Sequence, residues 1–207
     1  MAVRARRAPA RHGGRTATVS RGTSETDIRV TLNLDGRGTY EVETGVPFLN
    51  HMLEIFSRHG FFDLTVRARG DVEVDDHHTV EDVGLCLGQG FREALGDKAG
   101  IRRFGEATVP LDEALVTTVV DLSGRPFFVY DVRIEQAKIG RFDVELIHDF
   151  LLAFTNQAAL NLHVRMASGR NPHHVVEAIF KSLARALDLA TQRDPRLSGV
   201  LSTKGSL

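Results

Sequence analysis

Two short runs in this 207-residue chain have the residue types and spacing for metal chemistry. His77-His78-Thr79-Val80-Glu81 recurs as His173-His174-Val175-Val176-Glu177, 96 positions later. Imidazole and carboxylate are standard ligands for divalent transition metals. One histidine pair is commonly a solvated surface feature; the same pattern twice, each where a loop enters a helix, points to a metal site. At a helix start, positions i and i+4 share a face, so His77 can work with Glu81. His78 then points about 100° away. Adjacent histidines therefore tend to serve different ions, and two pairs suggest two metals, each drawing on both halves of the chain. The single cysteine, Cys86, excludes a Cys-rich zinc site. It also favours a harder ion such as Mn²⁺ over structural Zn²⁺.

Two further positions belong with these runs. His51 lies at the edge of an apolar face running from Phe48 to Phe56. Aligning Phe48 with Leu146 and Phe56 with Phe154 puts Asp149 in the equivalent slot, with His148 beside it. Asp149 is the preferred ligand and His148 the alternative. His59 and His163 have no counterpart in the other half and are read as structural; His12 lies near the N-terminus.

The elements that must position these groups repeat as well. Arg29–Leu34 alternates to Asp35-Gly36, and Thr39–Glu43 alternates again, which predicts a β-hairpin. Pro47 opens a helix to about Arg58, Asp63–Ala68 is a strand, and Thr79 to Leu95 is a helix stopped by Gly96. The second half follows the same plan. Val119–Leu122 runs to Ser123-Gly124, Phe127–Ile134 is a strand, Leu146–Phe154 a helix, Leu162–Arg165 a strand and Val175–Ala190 a helix. Order and type agree element by element, so the fold class is α+β, built as two pseudo-symmetric βα repeats. The expected division is an Arg-rich arm at 1–16, repeats at 17–107 and 108–195, and a tail at 196–207.

Composition narrows the function. At 42% hydrophobic and 26% charged residues the chain can bury a core and is not a disordered polymer. A net charge of −1 argues against a nucleic-acid binder driven by bulk charge. No run of about 18 apolar residues exists, which argues against a membrane partner. Arg4, Arg6, Arg7, Arg11 and Arg15 precede the first acid, Glu25. A loose arm is the plain reading, with an organelle transit peptide as the rival. The expected setting is reduced and cytoplasmic. No Gly-rich phosphate loop of the nucleotide-binding kind is present.

Seven segments stand in an order that carries a resemblance: Arg21–Thr26, Gly45–Met52, Asp76–Asp82, Pro110–Ala114, Asp121–Pro126, His173–Ala178 and Ser202–Gly205. Over residues 16–207 the chain closely resembles the imidazoleglycerol-phosphate dehydratase family of histidine biosynthesis. The resemblance implies that each repeat is a four-stranded sheet with two helices. It implies two Mn²⁺ per subunit, active sites at subunit interfaces, and a homo-oligomer of twenty-four subunits. The implied reaction removes water from imidazole glycerol phosphate to give imidazole acetol phosphate. The proton lost sits on carbon with no carbonyl to acidify it. An imidazole has two nitrogens, and a metal at each stabilises the ring as an imidazolate. The implied ligands are His51, His77, His78, Glu81, Asp149, His173, His174 and Glu177. In the family the ligand at the place of Asp149 is often His, directly before the aromatic residue; carboxylates also occur there.

Acid–base work falls to Glu177, with a ligand role as its competing reading, and to Glu25. Glu25 alone would read as a solvated hairpin carboxylate; the resemblance raises it to a substrate contact. Arg103, Arg125, Lys181, Ser202 and Lys204 are the implied phosphate contacts. Asp112 and Glu113 are read as supporting the site or an interface. The competing functions are a dinuclear metal hydrolase and a non-enzymatic assembly protein stapled by metal ions.

Overall fold

A computed structural model describes residues 14–207. The first repeat runs β1 (Thr16–Gly22), β2 (Thr26–Asn33), β3 (Tyr40–Glu43), α1 (Pro47–Gly60), β4 (Asp63–Gly70) and α2 (His77–Leu95). The second runs β5 (Phe104–Leu111), β6 (Ala114–Asp121), β7 (Phe127–Asp131), the short pair β8 (Lys138–Ile139) and β9 (Phe142–Asp143), then α3 (Leu146–Ala158), β10 (Asn161–Ser168) and α4 (Pro172–Thr191). The two four-stranded sheets have the same order, β1-β2-β4-β3 and β5-β6-β10-β7. In both, the third and fourth strands pair in parallel. The expected α+β pair of repeats, each a four-stranded sheet with two helices, is the architecture present.

One strand pairing differs from expectation. Arg29–Leu34 and Thr39–Glu43 do not form a hairpin: β2 pairs with β1 and β4, and β3 joins the far edge of β4. Asp63 is the cause. Its Oδ1 accepts the N–H groups of Arg37 (2.9 Å) and Thr39 (3.0 Å) and the Thr39 hydroxyl (2.6 Å). The chain is thereby led across the start of β4 instead of back along β2. β1 and β5 supply the true hairpin partners. The strand expected to reach Ile134 ends at Asp131. The second helix begins at His77, two residues early, because Asp75 Oδ1 accepts the His77 N–H at 2.8 Å.

Alternation on β2 and β6 turns one face of each sheet inward. The inner faces and all four helices share a single continuous core. Its largest side chains include Phe56, Phe62, Phe91, Phe150, Phe154 and Phe180. The helices pack across the repeats: α2 lies on α3, and α1 on α4. A Cβ on Gly88 of α2 would stand 2.4 Å from the Phe154 carbonyl oxygen, so glycine sets how closely α2 and α3 approach. Among the described residues no helix is long and apolar enough to cross a membrane. Cys86 is buried, and that burial, reinforced by Asp82, pushes its thiol up to about 11, which keeps it unreactive at neutral pH.

Residues 1–13 of the expected arm, with Arg4, Arg6, Arg7, Arg11 and His12, lie outside the described residues. Arg15, also expected there, is held: its guanidinium meets Asp35 at 2.5 Å and donates to the Thr191 carbonyl at 2.6 Å. Thr16 already pairs with Asn33 in β1.

Two outcomes are expected. Gly88→Ala forces α2 and α3 apart and lowers stability by about 1–3 kcal/mol in urea unfolding. For Asp35, the Arg15 hydrogen bond outweighs burial and holds the carboxyl below its ordinary range. The ionised form is therefore the one the fold favours. Its contribution is present above the unfolded carboxylate value and lost as pH falls through the folded one. Asp35→Asn should lower Tm at neutral pH, with a cost of about 1 kcal/mol or less because the carboxylate is nearly half exposed. The difference from wild type should vanish in acid. A pH-independent difference would contradict the assignment.

Candidate metal centre

Both histidine pairs sit at the first turn of a long helix. At α4, Pro172 occupies the opening turn and the Asn171 side chain accepts the His173 N–H at 3.0 Å. At α2, Asp75 does the equivalent work for His77. Gly70 and Gly169, at the ends of β4 and β10, let these helix starts sit close to the sheets. A Cβ there would stand 2.0 Å from Thr79 Oγ1 and 2.5 Å from Val175 Cγ2, the residues that follow each pair.

The crossed helix packing then assembles two groups. Where α1 meets α4, Glu177 Oε2 lies 3.5 Å from His51 Nε2 and 3.3 Å from His173 Nε2. One donor atom from each of the three lies within 4.8 Å of the others. The other oxygen of Glu177 is held by Lys181 Nζ at 2.6 Å. Burial opposes ionisation of Glu177, but the Lys181 hydrogen bond and charge, with His51 and His173, outweigh it and hold the carboxyl below its usual range. The donor set therefore suits a divalent cation: two imidazole nitrogens and one carboxylate oxygen. Phe48 stands edge-on to His173 at 5.3 Å, and a cavity of about 520 Å³ opens beside His51 against Phe48, Val72, Arg141 and Phe142.

Where α2 meets α3, His77 lies between two carboxylates. Its Nε2 is 3.9 Å from Glu81 Oε2 and its Nδ1 is 3.7 Å from Asp149 Oδ2. His148 is turned away, its ring 5.3 Å from Phe128 and 5.5 Å from Tyr130. Of the two alternatives at this place, Asp149 is the one that faces the motif.

The second histidine of each pair points elsewhere. His78 Nδ1 lies 3.1 Å from Asp71 and 3.9 Å from Glu25. His174 Nδ1 lies 2.8 Å from Glu113. The hydrogen bond to Asp71 raises His78 above the ordinary histidine value, and that to Glu113 raises His174. Glu113 is drawn down to about 2 by His174 and by the backbone N–H groups of Asn171 and Arg170. Asp82 anchors the turn that carries Glu25: it accepts from Arg21 Nε at 2.9 Å and from the Thr26 hydroxyl at 2.5 Å.

The expected phosphate contacts do not gather here. Only Lys181 stands beside the first group. Arg103 donates its backbone N–H to Ala190, clamps Asp121 at 2.6 and 3.0 Å, and donates to the Leu201 carbonyl at 2.7 Å. That is the far end of α4, about 26 Å from His173 at 1.5 Å per residue. Arg125 lies on the neighbouring Gly124 turn, and Ser202 Oγ accepts the Lys204 N–H in the tail.

Asp71 and Lys98 escape the sequence reading of the site; Glu113 enters it only as a support for the site or an interface, and His59 only as structural. Asp71 and Glu113 touch the second histidines. Lys98 is buried, and this burial lowers its pKa, with Asp121, Arg103 and Arg125 as charged neighbours. His59, two turns beyond His51 on α1, is lowered by burial and by the charge of Lys181. The eight-residue spacing of His51 and His59 was the available signal for the last; nothing in the sequence marked Lys98.

The family model for imidazoleglycerol-phosphate dehydratase matches residues 44–187. Relatives so named from Pelobacter propionicus and Geobacillus sp. are 56% and 58% identical over 193 residues, covering 93% of this chain and 99% of each relative. The crystal structure of the dehydratase from Staphylococcus aureus superposes with a TM-score of 0.79 at 36% identity, covering 86% of this chain and 99% of that one. The structure from Pyrococcus furiosus, in complex with (S)-C348, gives 0.80 at 38%, covering 91% and 100%. With this family match and the shared architecture in agreement, the chain belongs to the imidazoleglycerol-phosphate dehydratase family and is a hydro-lyase.

Proposed function

We propose that the chain dehydrates imidazole glycerol phosphate to imidazole acetol phosphate in cytoplasmic histidine biosynthesis, and that the reaction depends on Mn²⁺. The observation that carries the metal dependence is the convergence of His51, His173 and Glu177 donor atoms within 4.8 Å. Family membership favours the lyase over a dinuclear hydrolase or a stapled assembly protein. His51, His173 and Glu177 would hold one ion; His77, Glu81 and Asp149 would contribute to a second. When bound, the metal supplies Lewis acidity at the ring nitrogens.

The chain's own residues do the rest. Lys181 fixes Glu177 through one oxygen and leaves Oε2 facing the imidazoles. Glu25 offers an exposed carboxylate near His78, suited to take the proton from the carbon next to the one that carries the departing hydroxyl, or to deliver one to that hydroxyl. Loss of hydroxide from the carbon beside the ring and of the proton from the next carbon leaves an enol, which tautomerises to the ketone. Arg103, Arg125, Ser202 and Lys204 would bind the phosphate. Their distance from the histidines along α4 supports a site shared between subunits: the cations of one copy serve the metal groups of another. A cage of twenty-four subunits satisfies that requirement.

Chelation should abolish dehydration of imidazole glycerol phosphate and added Mn²⁺ should restore it. Elemental analysis should find about two ions per subunit; full activity in protein holding almost none would sink the metal reading. Glu177→Gln should lower kcat by about 100-fold or more. Turnover at the wild-type rate would remove Glu177 from the site. Arg125→Ala should raise KM roughly 10- to 100-fold with a smaller change in kcat, as expected on losing a charged hydrogen bond to phosphate.

A further inference from the structure

The second histidine of each pair has a carboxylate on its Nδ1, and the two carboxylates come from different places in the repeat. Asp71 follows β4, with its oxygens 3.1 and 3.2 Å from His78 Nδ1. Glu113 lies in the β5–β6 turn, with Oε2 2.8 Å from His174 Nδ1. An ionised carboxylate only accepts hydrogen bonds, so Nδ1 holds the proton in each ring. The lone pair is left on Nε2, the one atom each ring can offer to a cation.

The sheet register shows what changed between the repeats. Val30 pairs with Val66 in the first sheet as Thr118 pairs with Val164 in the second. On that overlay β2 matches β6, and Glu25, just before β2, corresponds to Glu113, just before β6. The two glutamates are engaged differently. Glu113 accepts from His174 and, through Oε1, from the N–H groups of Arg170 at 3.1 Å and Asn171 at 2.7 Å. The side chain of Glu25 accepts no hydrogen bond among the described residues; it stays half exposed, 3.9 Å from a ring that Asp71 already holds.

We propose that Asp71 and Glu113 are positioning residues that present Nε2 of His78 and His174 to a divalent cation, and that Asp71, by taking this task in the first repeat, leaves Glu25 free for the substrate. Equivalent positions thus do different work: one glutamate is committed to orienting a histidine, the other is released. The inference rests on the metal reading above. Carboxylates that orient metal-binding histidines set both tautomer and ring direction.

The test titrates the full chain with Mn²⁺ and compares Asp71→Asn, Glu113→Gln and Glu25→Gln. Asp71→Asn and Glu113→Gln should each weaken Mn²⁺ binding by about 10- to 100-fold. Glu25→Gln should lose turnover with Mn²⁺ affinity unchanged. Solid-state ¹⁵N spectra of histidine-labelled, metal-free protein, taken above histidine's titration range, should show His78 and His174 protonated on Nδ1. This measurement needs only wild-type protein for its main result, so it holds even where a variant fails to fold. Wild-type Mn²⁺ affinity in both Asp71→Asn and Glu113→Gln, or Nε2–H rings in wild type, would overturn the proposal while the metal reading stands. Wild-type protein that binds no Mn²⁺ would overturn both.

Discussion

Each helix that opens with a histidine pair rests on the short helix of the other repeat, and the two groups around His173 and His77 depend on that crossed packing. His51 reaches Glu177 because α1 lies on α4, and Asp149 reaches His77 because α3 lies on α2. Neither repeat alone brings the first histidine of its pair to these partners. The same packing buries the large aromatic side chains, so the apolar contacts that stabilise the domain are also what hold the ligands in place. Close backbone approach matters here, as at Gly88 against Phe154, because the imidazole and carboxylate groups extend only a few ångströms from the helix axes.

Electrostatic organisation follows from the packing. Glu177 is largely buried, a position that disfavours a lone carboxylate, and Lys181 one turn later on α4 offsets the penalty. The result is an ionised oxygen facing two imidazoles. The second histidines carry their own acids, Asp71 and Glu113, which fix the direction of each ring. Orientation is set in advance by the fold, which lowers the cost of organising the site when the substrate binds.

The cationic end of the molecule is built separately. Arg103, Arg125 and buried Lys98 surround Asp121 at the C-terminal end of α4, while the histidines sit at its N-terminal end. The length of α4, Pro172–Thr191, keeps them apart. A substrate with an imidazole at one end and a phosphate a few bonds away cannot span that helix. Such a division accounts for the proposed sharing of each active site between copies.

The amino-acid sequence by itself determined the repeat, the helices and the chemical character of the site, because periodicity and the doubled His-His-x-x-Glu run are local signals. The apolar faces from Phe48 to Phe56 and from Val80 to Leu95 needed no partner to be read. Strand pairing was less legible: Asp35-Gly36 reads as a hairpin turn, yet Asp63, remote in sequence, redirects the chain and places β3 on β4. Only the tertiary structure showed that Asp149 faces His77 while His148 lies against Phe128 and Tyr130, since adjacent helical residues differ by about 100° and their surroundings come from other elements. It alone revealed Asp71 and Lys98, and what Glu113 and His59 touch; their residue types are common and their significance lies in their contacts. Residue type sets what a side chain can do; the packing of remote elements sets which group it does it with.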